Sequence, residues 1–401
     1  MLTVVRAAAW IGAAAWVGLI VARGRFWDAR ADRLRPLGAE GSAAPDVAVV
    51  VPARNEADVL GRTLASLLRQ RYAGTVRITV VDDRSDDGTG AVARATAEAH
   101  GGGDRVEVVA GRERPEGWTG KTWALRQGIA ASRTRGTPEL WWFSDADVEH
   151  DDTTLARLVE TARAEDRDLV SQMVALHCAT PMERLFIPAF VYFFRMLYPF
   201  AWVNDDNRRT AAAAGGCVLL SETMLGRIGG IERIKGEMID DCALAAAVQS
   251  AGGRMWLGLA TTSRSVRPYA SFDEIWTMVA RSAYTQLHHS PRLLAGTVAG
   301  MAVLYVAPPL ATLAGVTARR WDVALPGALA WTLLSLAYAP TLRLYRVPRI
   351  AALALPLAGI LYTAMTVDSA IRHARGSGGM WKGRTFARRQ PERLEIPPSS
   401  S

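Results

Sequence analysis

Cysteine and lysine are both scarce, with three of each among 401 residues. Cys178, Cys217 and Cys242 are an odd number without CxxC or Cys/His spacing, which argues against a disulfide framework and a structural zinc site. The lysine shortage, set against 44 arginines, says little about fold, but it draws attention to Lys121, Lys235 and Lys382. No GxGxxG, GxxxxGK[ST] or GxSxG pattern occurs, so neither a dinucleotide fingerprint, a P-loop nor a nucleophile elbow explains the chain. Negative charge is short at both ends. Residues 1–44 carry six arginines against three acids, residues 291–401 carry thirteen basic residues against four acids, and the formal net charge of +8 leaves −4 for residues 45–290. The basic character therefore belongs to the flanks. Nucleic acid is not the expected partner of the middle region, and a membrane surface is the expected partner of the ends.

What is present is a chain that is half hydrophobic and 21% charged, too apolar for disorder and too charged to be wholly membrane-embedded. Its length allows two or three folded units at roughly 150 residues each. Residues 2–22 hold one charge, Arg6, and five arginines follow, so this run reads as a membrane anchor rather than a cleaved signal peptide. Residues 293–318, 323–342 and 350–367 are further uncharged runs without polar faces, and they read as membrane-embedded. Residues 185–203 are apolar but broken by Pro188, Arg195 and Pro199, which favours an interfacial helix, with a buried core helix as the alternative.

Between the ends, strands are expected at 47–51, 76–81, 106–110 and 140–144, alternating with helices at about 56–70, 91–100 and from Lys121 onward. That alternation predicts an α/β unit with a mostly parallel sheet covered on both faces. Ligands of such sheets sit at the carboxyl ends of the strands. Acids cluster there: Glu56 after the first strand, Asp82 and Asp83 after the second, Asp145 and Asp147 after the fourth. Two carboxylates one residue apart at a strand end can share one hard divalent ion, Mg²⁺ or Mn²⁺, which can then bridge a diphosphate. His288-His289 has no ligand-spaced partners and reads as a polar loop.

The succession VVVPARNEADVL, VVDDRSDDGT, GWTGKTWAL, FSDADVE, AAGGCVLLS and IDDCALA resembles the family 2, GT-A type nucleotide-sugar glycosyltransferases over about residues 45–290. WTMVARSAYTQL, the late WKGR and the apolar flanks are most similar to hopene-associated glycosyltransferases. The resemblance implies a GT-A domain at 45–290, a membrane anchor and basic linker at 1–44, a membrane region at 291–370 and a basic tail at 371–401. It implies that Pro52, Arg54, Asn55, Glu56, Asp82, Asp83, Lys121 and Asp145 bind the nucleotide-sugar, by first choice a UDP-sugar. Asp145 and Asp147 would hold the metal, Gly215 and Gly216 would border the acceptor, and Asp241, seconded by Asp240, would be the catalytic base. The family's Q/RxxRW motif is represented only by Arg281-Ser282-Ala283-Tyr284, which leaves Arg281 as the candidate for leaving-group contact and argues against processive synthesis. The implied reaction is inverting transfer to a lipid hydroxyl, a hopanoid by first choice. A polyprenyl-phosphate acceptor and a non-catalytic membrane scaffold are the alternatives. Nucleotide-sugars are cytosolic, so the middle region is expected on the cytoplasmic face of a bacterial membrane. The basic tail is expected on that side too, which requires either 350–367 not to cross or 293–318 to double back at Pro308-Pro309.

Overall fold

The computed structural model describes residues 2–29, 33–36, 44–376, 380–381 and 384–385. An apolar helix, α1 (Leu2–Ala22), leads into β1 (Val47–Ala53), α2 (Leu60–Leu68), β2 (Val76–Asp82), α3 (Thr89–Ala99), β3 (Val106–Ala110), α4 (Gly120–Thr134) and β4 (Leu140–Ser144). Then come β5 (Val148–His150), α5 (Thr154–Ala164), β6 (Leu169–Ala175), α6 (Pro181–Leu197), α7 (Phe200–Val203), β7 (Cys217–Ser221) and α8 (Glu222–Arg227). The α/β unit ends with α9 (Asp240–Ser250), β8 (Met255–Ser265) and α10 (Phe272–Ala280). Four apolar helices follow: α11 (Pro291–Met301), α12 (Ala307–Thr317), α13 (Trp321–Leu344) and α14 (Leu355–Ala374).

The eight strands form one sheet in the order β3-β2-β1-β4-β7-β6-β8-β5. Side chains alternate across a strand, and here both faces are apolar. Ala48, Val50, Trp141, Phe143, Val218 and Leu220 enter one core. Val47, Val49, Val51, Trp142, Cys217 and Leu219 enter the other. On one face α4 lies close to the sheet because residue 128 is glycine; a Cβ there would come within 2.4 Å of Val50 Cγ1.

The topology places the site. β1, β2 and β3 pair in parallel in one direction, and β4 pairs in parallel on the other side of β1. A crevice therefore opens beyond the carboxyl ends of β1 and β4, where the order reverses. β7 runs antiparallel to β4 and sets Cys217 opposite Ser144, so the residues preceding β7 reach the same edge.

The expected strands are present, and sequence periodicity leaves β5 to β8 unplaced. α2 begins four residues later than expected for a physical reason. Asn55 adopts a left-handed φ of 51°, which asparagine tolerates. The amides of Asn55, Glu56 and Ala57 then donate to Ser85 Oγ (3.0 Å), Thr89 Oγ1 (2.9 Å) and Asp87 Oδ2 (3.0 Å). Backbone that could have started the helix instead ties β1 to the turn after β2.

Among the described residues, five helices are long and apolar enough to cross a membrane: Thr3–Ala22, Pro181–Val203, Pro291–Thr317, Trp321–Leu344 and Arg349–Ala374. The second of these, expected at an interface, is wedged between two packed bodies. Val191 enters the core of the α/β unit, whereas Phe186, Ala189 and Tyr192 pack with Trp16, Tyr305, Tyr338 and Tyr362. Arg195 is 1% exposed and donates to the Asp28 carbonyl at 2.6 Å. Residues 291–317 do not double back at Pro308-Pro309, because a π-helical segment, Ala302–Val306, carries α11 into α12 as one helix. The last apolar segment, residues 349–374, starts alongside α13. Leu353 O accepts from Trp331 Nε1 (3.2 Å), ten residues short of the start of α13. The other end of α14 returns to the α/β unit, where Trp276 Nε1 donates to Asp368 Oδ2 (2.7 Å) and Tyr284 N to Ser369 Oγ (3.1 Å). Trp381 and Arg384 of the WKGR stretch lie in a two-strand hairpin, Met380–Trp381 against Arg384–Thr385. Lys382, Gly383 and the basic tail beyond residue 385 lie outside the described residues.

Candidate active site

Four chain segments meet at the crevice. The loop after β1 supplies Arg54, Asn55 and Glu56, with Pro52 buried in the strand itself. Arg54 Nη1 donates to the carbonyls of Asp83 (2.6 Å) and Arg84 (3.1 Å), and Asp83 N donates to Ala53 O (2.8 Å). Asp82 Oδ1 accepts from Ser85 N at 3.0 Å. These bonds lock the first two loops together, with the Asp83 residue fully buried.

The loop after β4 supplies Asp145 and Asp147. Asp147 Oδ2 accepts from Ser265 Oγ (3.1 Å) and lies 3.5 Å from Arg267 Nε. Arg267 also pairs with Glu56. Burial, with the charge of Asp145 added, pushes the Asp147 carboxyl up to about 6. Beneath the loop, His150 bridges Ser144 Oγ (2.9 Å) and Ser263 Oγ (2.8 Å) and stacks edge-on against Trp142. Burial pulls His150 down to about 3, so it serves as a neutral strut.

Lys121, in the first turn of α4, joins the DxD loop to α9. Its Nζ lies 2.8 Å from Asp145 Oδ1 and 3.5 Å from Asp240 Oδ2. Burial alone would lower this ammonium, but the carboxylates of Asp145 and Asp240 outweigh it and hold it above its ordinary value. The Asp241 carboxylate accepts from Gly215 N (2.8 Å) and from Cys242 N at the start of its own helix (2.8 Å). Burial and then the neighbouring Asp240 charge push Asp241 up to about 6. Gly215 leaves room for the Lys121 ammonium, since a Cβ there would lie 2.9 Å from Lys121 Nζ and displace it. Gly216 is buried against Val174, and its carbonyl accepts from Asp145 N (3.4 Å).

The crevice thus gathers Pro52, Arg54, Asn55, Glu56, Asp82, Asp83, Lys121, Asp145, Asp147, Gly215, Gly216, Asp240 and Asp241 along one sheet edge. Arg281 is exposed at the end of α10 and without an ion pair among the described residues, and its charge acts on Tyr269, which also feels Asp147. Sequence reasoning misses Arg267 and Ser265; the apolar run 255–260, followed by an arginine just past the strand, is the signal that could have found them. It also misses Tyr198 at the end of α6. Its phenol neighbours Cys242 and accepts from Gln286 Nε2 (2.5 Å), which links the edge to the start of the apolar helices.

The donor set fits a divalent ion shared with a ligand. Two carboxylates of the DxD loop share the edge, and no cluster of three or more His, Cys, Asp or Glu able to cage a metal exists among the described residues. Mg²⁺ and Mn²⁺ are suited to such a site, one or two carboxylates plus substrate phosphates.

An α/β sheet with this switch point and acidic edge defines a GT-A-like fold. A mannosyltransferase from Pyrobaculum calidifontis, solved in complex with GDP-Man and Mn²⁺, superposes over 92% of this chain and 99% of that one, with a TM-score of 0.54 and 20% identity. Residues 45–285 match the family model described as glycosyltransferase like family 2, and the chain belongs to that family. A 4,4'-diaponeurosporenoate glycosyltransferase of Staphylococcus haemolyticus (strain JCSC1435) is 34% identical over 134 residues, which is 33% of this chain and 32% of that one. The chain therefore spans about a third of the length of the curated relative it matches.

Proposed function

We propose that the protein is a membrane-bound inverting glycosyltransferase that moves a sugar from a nucleotide-sugar, by first choice a UDP-sugar, to a lipid hydroxyl. The observation that carries this reading is the Asp145–Lys121–Asp240/Asp241 array, one ion-paired edge lying beside the α6 end that meets the apolar helices. Asp241 is the base. Its carboxylate is held by two amides, so it is fixed in place to take the acceptor proton. Lys121 neutralises charge on the leaving diphosphate side, and the Arg54–Asp83 lock shapes the nucleoside pocket. A Mg²⁺ or Mn²⁺ ion held by Asp145 and Asp147 would supply charge stabilisation for the departing diphosphate. The neighbour solved with GDP-Man and Mn²⁺ supports a nucleotide-sugar donor and a divalent ion.

An apolar acceptor is supported by the five long apolar helices and by the relative named for glycosylating 4,4'-diaponeurosporenoate. A hopanoid is the first choice on the motif order of residues 276–287 and 381–384. The α/β unit faces the cytoplasm, and residues 349–374 do not cross; this is supported by Leu353 meeting α13 at Trp331 and by the far end of α14 bonding back to Trp276. Purified protein offered a panel of nucleotide-sugars with and without lipid alcohols tests the donor and acceptor together. Nucleoside diphosphate release that rises only when a lipid alcohol is added is expected. Release that rises only with polyprenyl phosphate, giving an acid-labile product, would replace the acceptor class.

A further inference from the structure

The turn between α13 and α14 combines an apolar wall with a basic rim. A groove of about 460 Å³ lies between the second half of α13 and the 3₁₀ segment Arg349–Ala354. Leu336 and Pro340 form one wall, Ile350 and Leu353 the other, and Arg343 and Arg349 stand at its end. Leu336 is 64% exposed and Ile350 72% exposed, so the walls face outward. Residues 323–367 contain three arginines and no acid, and neither Arg343 nor Arg349 forms an ion pair among the described residues. The groove follows α13 from Ser335 to Arg343, eight residues or about 12 Å of helix.

We propose that this groove holds one anionic phospholipid of the leaflet on the arginine side, with an acyl chain between the two walls and the phosphate between Arg343 and Arg349. Charge complementarity selects that occupant. Guanidinium groups match phosphate oxygens in a bidentate fork, and basic pockets among membrane helices favour anionic headgroups. Free phosphate lacks the chain that the apolar walls would cover, and a zwitterionic lipid gains less from two unpaired arginines. The neighbouring turn is tied to the α/β unit, since Leu176 N donates to Tyr345 Oη (3.4 Å) and Leu344 packs on its core. A lipid bound here therefore steadies the turn that joins the apolar helices to the sugar-transfer domain. The proposal rests on the membrane reading of α13 and α14.

The test is native mass spectrometry of the delipidated full chain titrated with phosphatidylglycerol or phosphatidylcholine. One phosphatidylglycerol should bind about thirtyfold more tightly than phosphatidylcholine, as expected for two arginines near a headgroup. Arg343→Gln/Arg349→Gln should reduce phosphatidylglycerol to the phosphatidylcholine level, and Arg343→Lys/Arg349→Lys should keep most of the preference. Leu336→Trp fills the groove while leaving both arginines, and it should lose the bound lipid. Absence of a preference in the wild type, or its survival in the double glutamine variant, would overturn the site; if that variant does not fold, lipid retained by Leu336→Trp would do so alone. Flotation with vesicles separates the two ideas. A wild-type chain that floats without a headgroup preference overturns the site only, and one that does not float overturns the membrane reading as well.

Discussion

At the scale of residues, the site is a problem in charge compensation. Asp145, Asp240 and Asp241 crowd one edge, and Lys121 is the cation that bridges the first two. Asp241 stands slightly aside, held by two amides, with a carboxyl raised to about 6 by burial and by Asp240. A base with that pKa is ionised at neutral pH and progressively protonated below about pH 6. The rate of transfer should therefore fall on the acid side of about pH 6. Asp241→Asn should lose about 10²–10⁴-fold in kcat while nucleotide-sugar still binds. Asp240→Asn removes a like charge, so the acid limb should move to lower pH with much of the rate retained; a greater loss than in Asp241→Asn would exchange their roles. Asp147→Asn removes one of the two DxD carboxylates, and it should nearly abolish turnover, as should EDTA. Full activity under both treatments would remove the metal from the account. The acids were legible in the sequence because strand ends followed by paired carboxylates are local patterns. Arg267 was not, because its partners Glu56 and Asp147 lie more than a hundred residues away and meet it only through the pairing of β8.

At the scale of elements, buried polar joints hold the pieces in register. The clearest is at the start of α6, where the Thr180 side chain accepts from Glu183 N and the fully buried Glu183 carboxylate accepts from Ala179 N, Thr180 N and Tyr269 N. His177 Nδ1 lies 2.7 Å from the same carboxylate. Glu183→Ala would strand these amides, each unsatisfied buried donor costing about 1–3 kcal/mol. A fall of several degrees or more in the thermal unfolding midpoint in detergent is expected, and an unchanged midpoint would show that water replaces the carboxylate. β1 to β4 were readable because each is a continuous apolar run between turn residues, as parallel strands buried on both faces must be. The later strands were harder. β7 follows Gly-Gly and pairs antiparallel with β4, and β6 meets β8 through a register shift between Met173 and Ala175. Neither relation leaves a local pattern. The same holds for α6, whose Arg195 suggests an interface until Asp28 O is found to receive it.

At the scale of the whole molecule, an α/β unit is carried on a layer of apolar helices, and the two share α6 and the end of α14. The apolar runs were plain in the sequence, but their number of crossings was not, because hydropathy does not reveal how far a segment reaches. The contact between Leu353 and Trp331 does bear on that. On the proposal that residues 349–374 do not cross, the C-terminal tail is predicted on the cytoplasmic side. A Ser400→Cys variant in a background without the three native cysteines should resist a membrane-impermeant thiol reagent in intact cells and react after lysis. Labelling in intact cells would place the tail outside.

The central claim joins the acidic edge to a lipid acceptor, and one measurement addresses both at once. Membranes containing the wild-type chain or Asp241→Asn would be incubated with a labelled nucleotide-sugar and a lipid alcohol, and the label entering the organic-soluble, acid-stable fraction would be counted. The account predicts label in that fraction with the wild type and a loss of at least about 100-fold in the variant, with donor binding retained. Equal labelling by the two proteins, or label confined to water-soluble product, would contradict it.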